Sequence, residues 1–157
     1  MAFTLLIEEE PVSVNNSNRR EEFESSLKRM MQAKYPLKKG AKCHYTLRDR
    51  LYVQLFYIHK GRKTRDIDNI IKYIVDSFRK YLYPDDRQIE YILSQSIECQ
   101  GGGISQIDTS EMDDDIASGL TQFLLADSSK NDISITYFEC GLLNDKFFNL
   151  NFESKWK

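Results

Sequence analysis

The sequence predicts an α+β fold in which a small sheet of about four to six strands carries two main helices. Two kinds of pattern predict it. Short runs with an apolar residue at every second position recur along the chain, as half-buried strands require, and two longer stretches place apolar residues three and four apart, as helices require. A length of 157 residues fits one globular domain spanning 1–157, long enough to bury a real core.

Phe3 to Ile7 reads as a first strand. The polar segment Pro11-Val-Ser13-Val-Asn15-Asn16 then leads into a helix that Asn18 caps, with Glu21 three residues on as in a capping box. Phe23, Leu27, Met30, Met31 and Tyr35 form its apolar face, and Pro36 and Gly40 end it. Ala41, Cys43, Tyr45 and Leu47 alternate, Arg48-Asp49-Arg50 supplies a tight connection, and Leu51, Val53, Leu55 and Tyr57 alternate again. That pattern predicts a β-hairpin.

A second helix is expected from about Asp66 or Asp68 to about Leu82, with Ile67, Ile70, Ile71, Ile74, Val75, Phe78 and Leu82 as its buried stripe. Asp68, Lys72, Asp76 and Arg79 share the opposite side, close enough for their alternating charges to interact. Tyr83-Pro84 stops the helix, Asp85 and Asp86 occupy the connection, and Ile89, Tyr91, Leu93 and Ile97 alternate as a strand. An acidic insert at about 100–131 follows, too long for a plain loop. Within it Ile116, Leu120, Phe123 and Leu124 have helical spacing, so Asp113-Asp114-Asp115 is expected to open a short helix, where negative charge suits the N-terminal dipole. Ile133 to Phe138 resumes the sheet, and Phe148, Leu150 and Phe152 are expected to pair with it across a turn at Leu143-Asn144-Asp145.

Composition narrows the function. No apolar run approaches the roughly 20 residues of a membrane span, and the first ten residues lack the basic region of a signal peptide, so a cytoplasmic protein is expected. Cys43, Cys99 and Cys140 are too few and too far apart for a disulfide framework or a Cys-x-x-Cys zinc site, and His44 and His59 lie in strand-like runs that favour packed or solvated roles. The net charge of −2 is unevenly spread: residues 1–65 carry +7, residues 66–99 carry −3 and residues 100–157 carry −6. The basic part includes Arg19, Arg20, Lys28, Arg29, Lys38, Lys39 and the run from Lys60 to Arg65, which is either a solvated surface or a face for phosphates.

Chemistry concentrates in Lys63-Thr64-Arg65-Asp66-Ile67-Asp68-Asn69-Ile70-Ile71-Lys72 and in Asp85-Asp86-Arg87-Gln88. Carboxylates packed where a strand meets a helix repel one another unless a positive charge sits among them, and a divalent cation facing a phosphate is the common reason to gather them. A calcium loop counted from Asp66 would need glycine where Ile71 stands and an acid where Ser77 stands, which excludes it. A haloacid-dehalogenase phosphatase matches poorly, because Lys63-Thr64-Arg65 precedes the acids where that family has a buried apolar strand. No Walker loop, Gly-x-Gly-x-x-Gly or Gly-x-Ser-x-Gly occurs.

Residues 3 to about 98 resemble the RusA-type Holliday junction resolvases, many of them phage-encoded. The resemblance rests on Pro11-Val-Ser13-Val-Asn15-Asn16 after the first strand, on Asp66-Ile67-Asp68-Asn69-Ile70-Ile71-Lys72 opening a helix, on Asp76 within it, and on Asp85-Asp86-Arg87-Gln88. It departs by extra residues between Pro11 and the asparagines. The resemblance implies a RusA-like small mixed sheet with two main helices, here extended by the acidic insert and a C-terminal strand. It implies a Mg²⁺-dependent endodeoxyribonuclease, with Mn²⁺ as a substitute, resolving four-way DNA junctions in recombination and repair as a homodimer.

By the same resemblance Asp66, Asp68 and Asp86 would bind the metal, with Asp85 as the substitute for Asp86. Lys72, one helical turn beyond Asp68, would hold the scissile phosphate or stabilise charge on it, its ordinary reading being a surface lysine paired with Asp68 or Asp76. Arg19, Arg20, Arg62, Lys63 and Arg65 are the candidates for DNA phosphates. The family is usually basic and this chain is mildly acidic. The alternative expectation is therefore a non-catalytic DNA- or protein-binding module, regulated by an acidic insert that engages a protein partner or lies over the DNA face as a mimic.

Overall fold

The computed structural model describes residues 2–9, 17–61, 66–99, 108–126 and 133–143. In chain order these form β1 (Phe3–Ile7), α1 (Ser17–Lys34), β2 (Leu51–Lys60), α2 (Ile67–Phe78), a 3-10 turn (Asp86–Gln88), β3 (Ile89–Glu98), α3 (Asp114–Leu125) and β4 (Ile133–Leu142). The strands make one mixed sheet in the order β1-β4-β2-β3. β1 and β4 are antiparallel, as are β4 and β2, whereas β2 and β3 run parallel. A parallel neighbour cannot be reached by a tight turn, so α2 serves as the crossover between β2 and β3.

β2 is the central strand and is buried on both faces, which is why its sequence Leu-Tyr-Val-Gln-Leu-Phe-Tyr-Ile reads as a nearly continuous apolar run. Leu51, Val53, Leu55 and Tyr57 face one core together with Phe23, Leu27 and Met31 of α1 and Ile70, Ile74 and Phe78 of α2. Ile58 and Phe56 face a second core with Ile135 and Tyr137 of β4 and Ile116, Leu120 and Phe123 of α3. The result is three layers: α1 and α2 on one face of the sheet, α3 on the other. The acidic insert therefore supplies a third packed helix where two had been expected. Gly119 brings α3 close to β1, since a Cβ at that position would collide with the Leu6 side chain.

The expected hairpin does not form. Both edges of β2 are taken, by β4 and by β3, and the segment before it bonds elsewhere. The amides of His44 and Tyr45 donate to the carbonyls of Tyr81 (3.1 Å) and Leu82 (2.8 Å). Asp49 folds the chain back at Thr46, accepting from its amide at 2.6 Å. Alternation in Ala41 to Leu47 thus reflects one buried side chain, Tyr45, and no strand pairing.

α2 ends four residues earlier than its stripe suggested. Arg79 is extended and Lys80 adopts φ +66°, a left-handed turn that redirects Tyr81, Leu82 and Tyr83 into the first core. Leu82 is thus buried as expected but from a turn, and Arg79 leaves the helical face it was expected to share with Asp68. The C-terminal run at Phe148 to Phe152 lies outside the described residues. Its expected partner already has β1 on one edge and β2 on the other over Thr136, Tyr137 and Phe138.

Candidate active site at the start of the crossover helix

α2 leaves the carboxyl end of β2, where a parallel strand pair opens a crevice and where the helix N-terminus favours negative groups. Asp66 is the N-cap residue, in extended conformation, and its carbonyl accepts the first helical bond from the Ile70 amide at 3.2 Å. Its carboxylate makes no capping bond. An Asp at this position ordinarily satisfies an amide of the first turn, so an exposed Asp66 that does not is spared for another partner. Asp68 is exposed in the first turn of α2, and Asn69 and Lys72 are exposed one step further along the same helix.

Asn69, Lys72, Tyr73 and Asp76 stand at i, i+3, i+4 and i+7, and with Arg20 from the first turns of α1 they line a cleft of about 150 Å³. Arg20 Nε donates to Glu24 Oε1 at 3.0 Å, its Nη2 lies 3.9 Å from Asp76 Oδ2, and its guanidinium sits 4.8 Å from the centre of the Tyr73 ring. The hydrogen bond to Glu24 raises the arginine's pKa still further. Asp76 therefore pairs across to α1, where the sequence had suggested only neighbours on α2. Arg19 is exposed beside Arg20. Arg62, Lys63 and Arg65, and the Pro11 to Asn16 segment, lie outside the described residues.

The two acids before β3 divide their tasks. Asp85 caps the 3-10 turn: it accepts from the Arg87 amide at 3.0 Å and its other oxygen lies 3.2 Å from Arg87 Nη2. The Gln88 side chain closes the capping box by accepting from the Asp85 amide at 3.2 Å. The backbone bond from Arg87, with its guanidinium, holds the Asp85 carboxyl below the usual range. Asp86 is half-buried next to it. Its negative charge and that of Asp76 both bear on the Tyr83 hydroxyl, whose pKa is raised first by burial and which donates to the Val75 carbonyl at 2.7 Å.

Carboxylate oxygens are the right donors for a hard divalent cation. Among the described residues, however, no three His, Cys, Asp or Glu side chains are gathered closely enough to hold one. Asp66 and Asp68 share the helix start, and Asp86 stands apart from them in the connection before β3. His44 and His59 serve packing: His44 Nε2 is 3.0 Å from the Tyr35 carbonyl, and buried His59 stacks on Tyr57.

The acidic insert also has an assigned place. Lys34, at the end of α1, contacts Asp113 (3.1 Å) and Asp115 (2.8 Å), and Thr4 donates to Asp113 at 2.7 Å. Those acids fasten α3 beside the β1 edge. Sequence reasoning missed Tyr73, because an aromatic residue flanking the apolar stripe reads as an ordinary core residue.

A βαβ crossover with unspent carboxylates at its helix start, a lysine one turn on and an arginine-lined cleft is the framework of a phosphodiester-handling enzyme. The model of the endodeoxyribonuclease RusA family matches residues 12–104, a span that takes in α1, β2, α2 and β3, and the chain belongs to that family. Its members are endodeoxyribonucleases that act on branched DNA, Holliday junctions in particular, and in general depend on a divalent metal. No curated protein matches the chain.

Proposed function

We propose that this chain is a Mg²⁺-dependent endodeoxyribonuclease, able to use Mn²⁺, that resolves four-way junctions by paired phosphodiester hydrolysis and acts as a homodimer. The observation that carries this reading is the unspent Asp66 carboxylate at the N-cap of α2, within the span matched by the family. Asp66, Asp68 and Asp86 would hold the ion, which when bound supplies an activated water and neutralises charge at the phosphorus. Asp85, already committed as a cap, is the weaker candidate for the third ligand.

The remaining tasks fall to cationic side chains. Lys72 lies one turn beyond Asp68 and holds the scissile phosphate, its ammonium favouring the charge that develops there. Arg19 and Arg20 grip flanking phosphates, and Arg62, Lys63 and Arg65 form the approach surface. A twofold dimer suits a four-way junction because two symmetry-related sites can cut two strands.

Purified protein should nick synthetic four-way junctions symmetrically in Mg²⁺ and cleave linear duplex poorly. Asp68→Asn should abolish cutting and preserve junction binding. Equal cleavage by this variant and the wild type would sink the metal assignment, and absence of junction binding at low salt would sink the substrate assignment.

A further inference from the structure

The cleft between the start of α1 and the middle of α2 holds an unsolved polar account. Tyr73 is 5% exposed, lines the cleft, and its hydroxyl has no hydrogen-bond partner among the described residues. A buried hydroxyl left unpaired costs the desolvation of that group, so one that lines a cleft calls for a ligand atom.

The surroundings specify which kind. Arg20 lies over the Tyr73 ring and is steadied by Glu24 and Asp76, which fixes the direction of a side chain otherwise rich in rotamers. Lys72 adds a second cation and Asn69 an amide donor. The first turn of α1, an 18-residue helix, contains no acid, so its dipole adds positive potential to the same end. Donors and positive charge thus outnumber the one acid in the lining, Asp76, and a cleft of about 150 Å³ has room for a phosphate group but not for a base and sugar as well.

We propose that this cleft is a DNA-phosphate subsite, in which Tyr73 Oη and Arg20 hold a phosphodiester next to the one that is cut. The inference rests on the nuclease reading above and adds to it a residue, Tyr73, that touches DNA. Binding there supplies the missing acceptor for the Tyr73 hydroxyl and exchanges part of the Arg20 pairing with Asp76 for a pairing with phosphate. It reads backbone position and no base, so it contributes register on the strand and no sequence preference.

The test uses the full chain with Asp68→Asn to keep DNA uncut, binding a four-way junction and a short linear duplex at ~50 mM salt. Tyr73→Phe keeps the packed ring and removes a hydroxyl without a protein partner, so its melting temperature should be unchanged or higher. Its affinity for both DNAs should fall roughly tenfold, the scale of one hydrogen bond to a charged group. Arg20→Gln should weaken binding similarly and reduce the slope of log K against log salt by about one. Equal affinity of all three proteins for both DNAs would overturn the subsite even if the wild-type chain cleaves junctions. Duplex binding that depends on Tyr73 and Arg20 without any preference for junctions would instead sink the junction reading and support the subsite. Failure of the Asp68→Asn chain to bind either DNA would overturn both.

Discussion

Lys60 Nζ donates to the Leu124 carbonyl at 2.7 Å, and the same ammonium donates to the Ala126 carbonyl at 2.8 Å. The last residue of β2 thereby caps the C-terminus of α3, with its charge 5.3 Å from the centre of the Phe123 ring. A buried ammonium is tolerated there because the carbonyl end of a helix carries partial negative charge. The contact fastens the insert to the strand end that leads into Asp66. Lys34 fastens the other end of α3 through Asp113 and Asp115.

Removing the Lys60 ammonium should therefore be felt by the fold. Lys60→Met keeps an apolar stem and leaves the carbonyls of Leu124 and Ala126 without their donor. We expect a loss of about 1–3 kcal/mol in urea unfolding, the cost of unpaired buried acceptors. A change below about 0.5 kcal/mol would show that water caps α3 equally well.

Asp85 and Asp86 should separate in mutagenesis. Asp85→Ala removes the cap of the 3-10 turn and should cost about 1 kcal/mol of stability while junction cutting persists. Asp86→Asn should leave the unfolding midpoint nearly unchanged and reduce cutting by more than about 100-fold, as loss of a metal ligand would. The reverse pattern, with cutting lost in Asp85→Ala alone, would transfer the ligand role to Asp85.

How far the sequence revealed all this depends on whether local pattern and tertiary partner agree. β1, β3 and the body of α1 were legible because their apolar periodicity is also their burial pattern. The start of α3 was legible because Asp113-Asp114-Asp115 stands where a helix N-terminus accepts acid. Ala41 to Leu47 misled because alternation cannot say that its bonds go to Tyr81 and Leu82. Leu82 kept the helical phase of α2 although Lys80 had already turned the chain. At the candidate site the carboxylates and Lys72 could be chosen by type and spacing. The Arg20–Tyr73 contact could not, since it joins residues 53 positions apart on different helices.

Acid should erode a defined part of the stability. Thr4 and then Lys34 hold the Asp113 carboxyl below its usual range, the Arg87 amide does the same for Asp85, and Arg50 does so for Glu90. A depressed folded-state pKa means that the unfolded chain binds the proton more readily. The stabilisation is present above the unfolded values, near 4, and is lost as pH falls through the folded ones. Each contribution is small at such exposed positions. Urea midpoints should fall on acidification below about pH 4.5. The deficit of Asp113→Asn, present at pH 6, should shrink over the same window, and a deficit that stays constant into acid would refute the assignment.

The position of the insert decides whether its charge reaches DNA. Lys34, which holds Asp113 and Asp115, lies 14 residues along α1 from Arg20. At 1.5 Å per residue that separation is roughly 21 Å, against a screening length of about 8 Å at physiological salt. α3 moreover packs on the sheet face opposite α1 and α2. An acidic segment so placed cannot occupy the Arg20 cleft without detaching both its Lys34 and its Lys60 contacts. Replacing Asp113, Asp114 and Asp115 together by Asn should therefore change junction affinity by less than about twofold at ~150 mM salt, while lowering stability through the lost Lys34 pairs. A gain in affinity of tenfold or more would mean that the insert does lie over the DNA face and would restore the reading of the acidic segment as a nucleic-acid mimic.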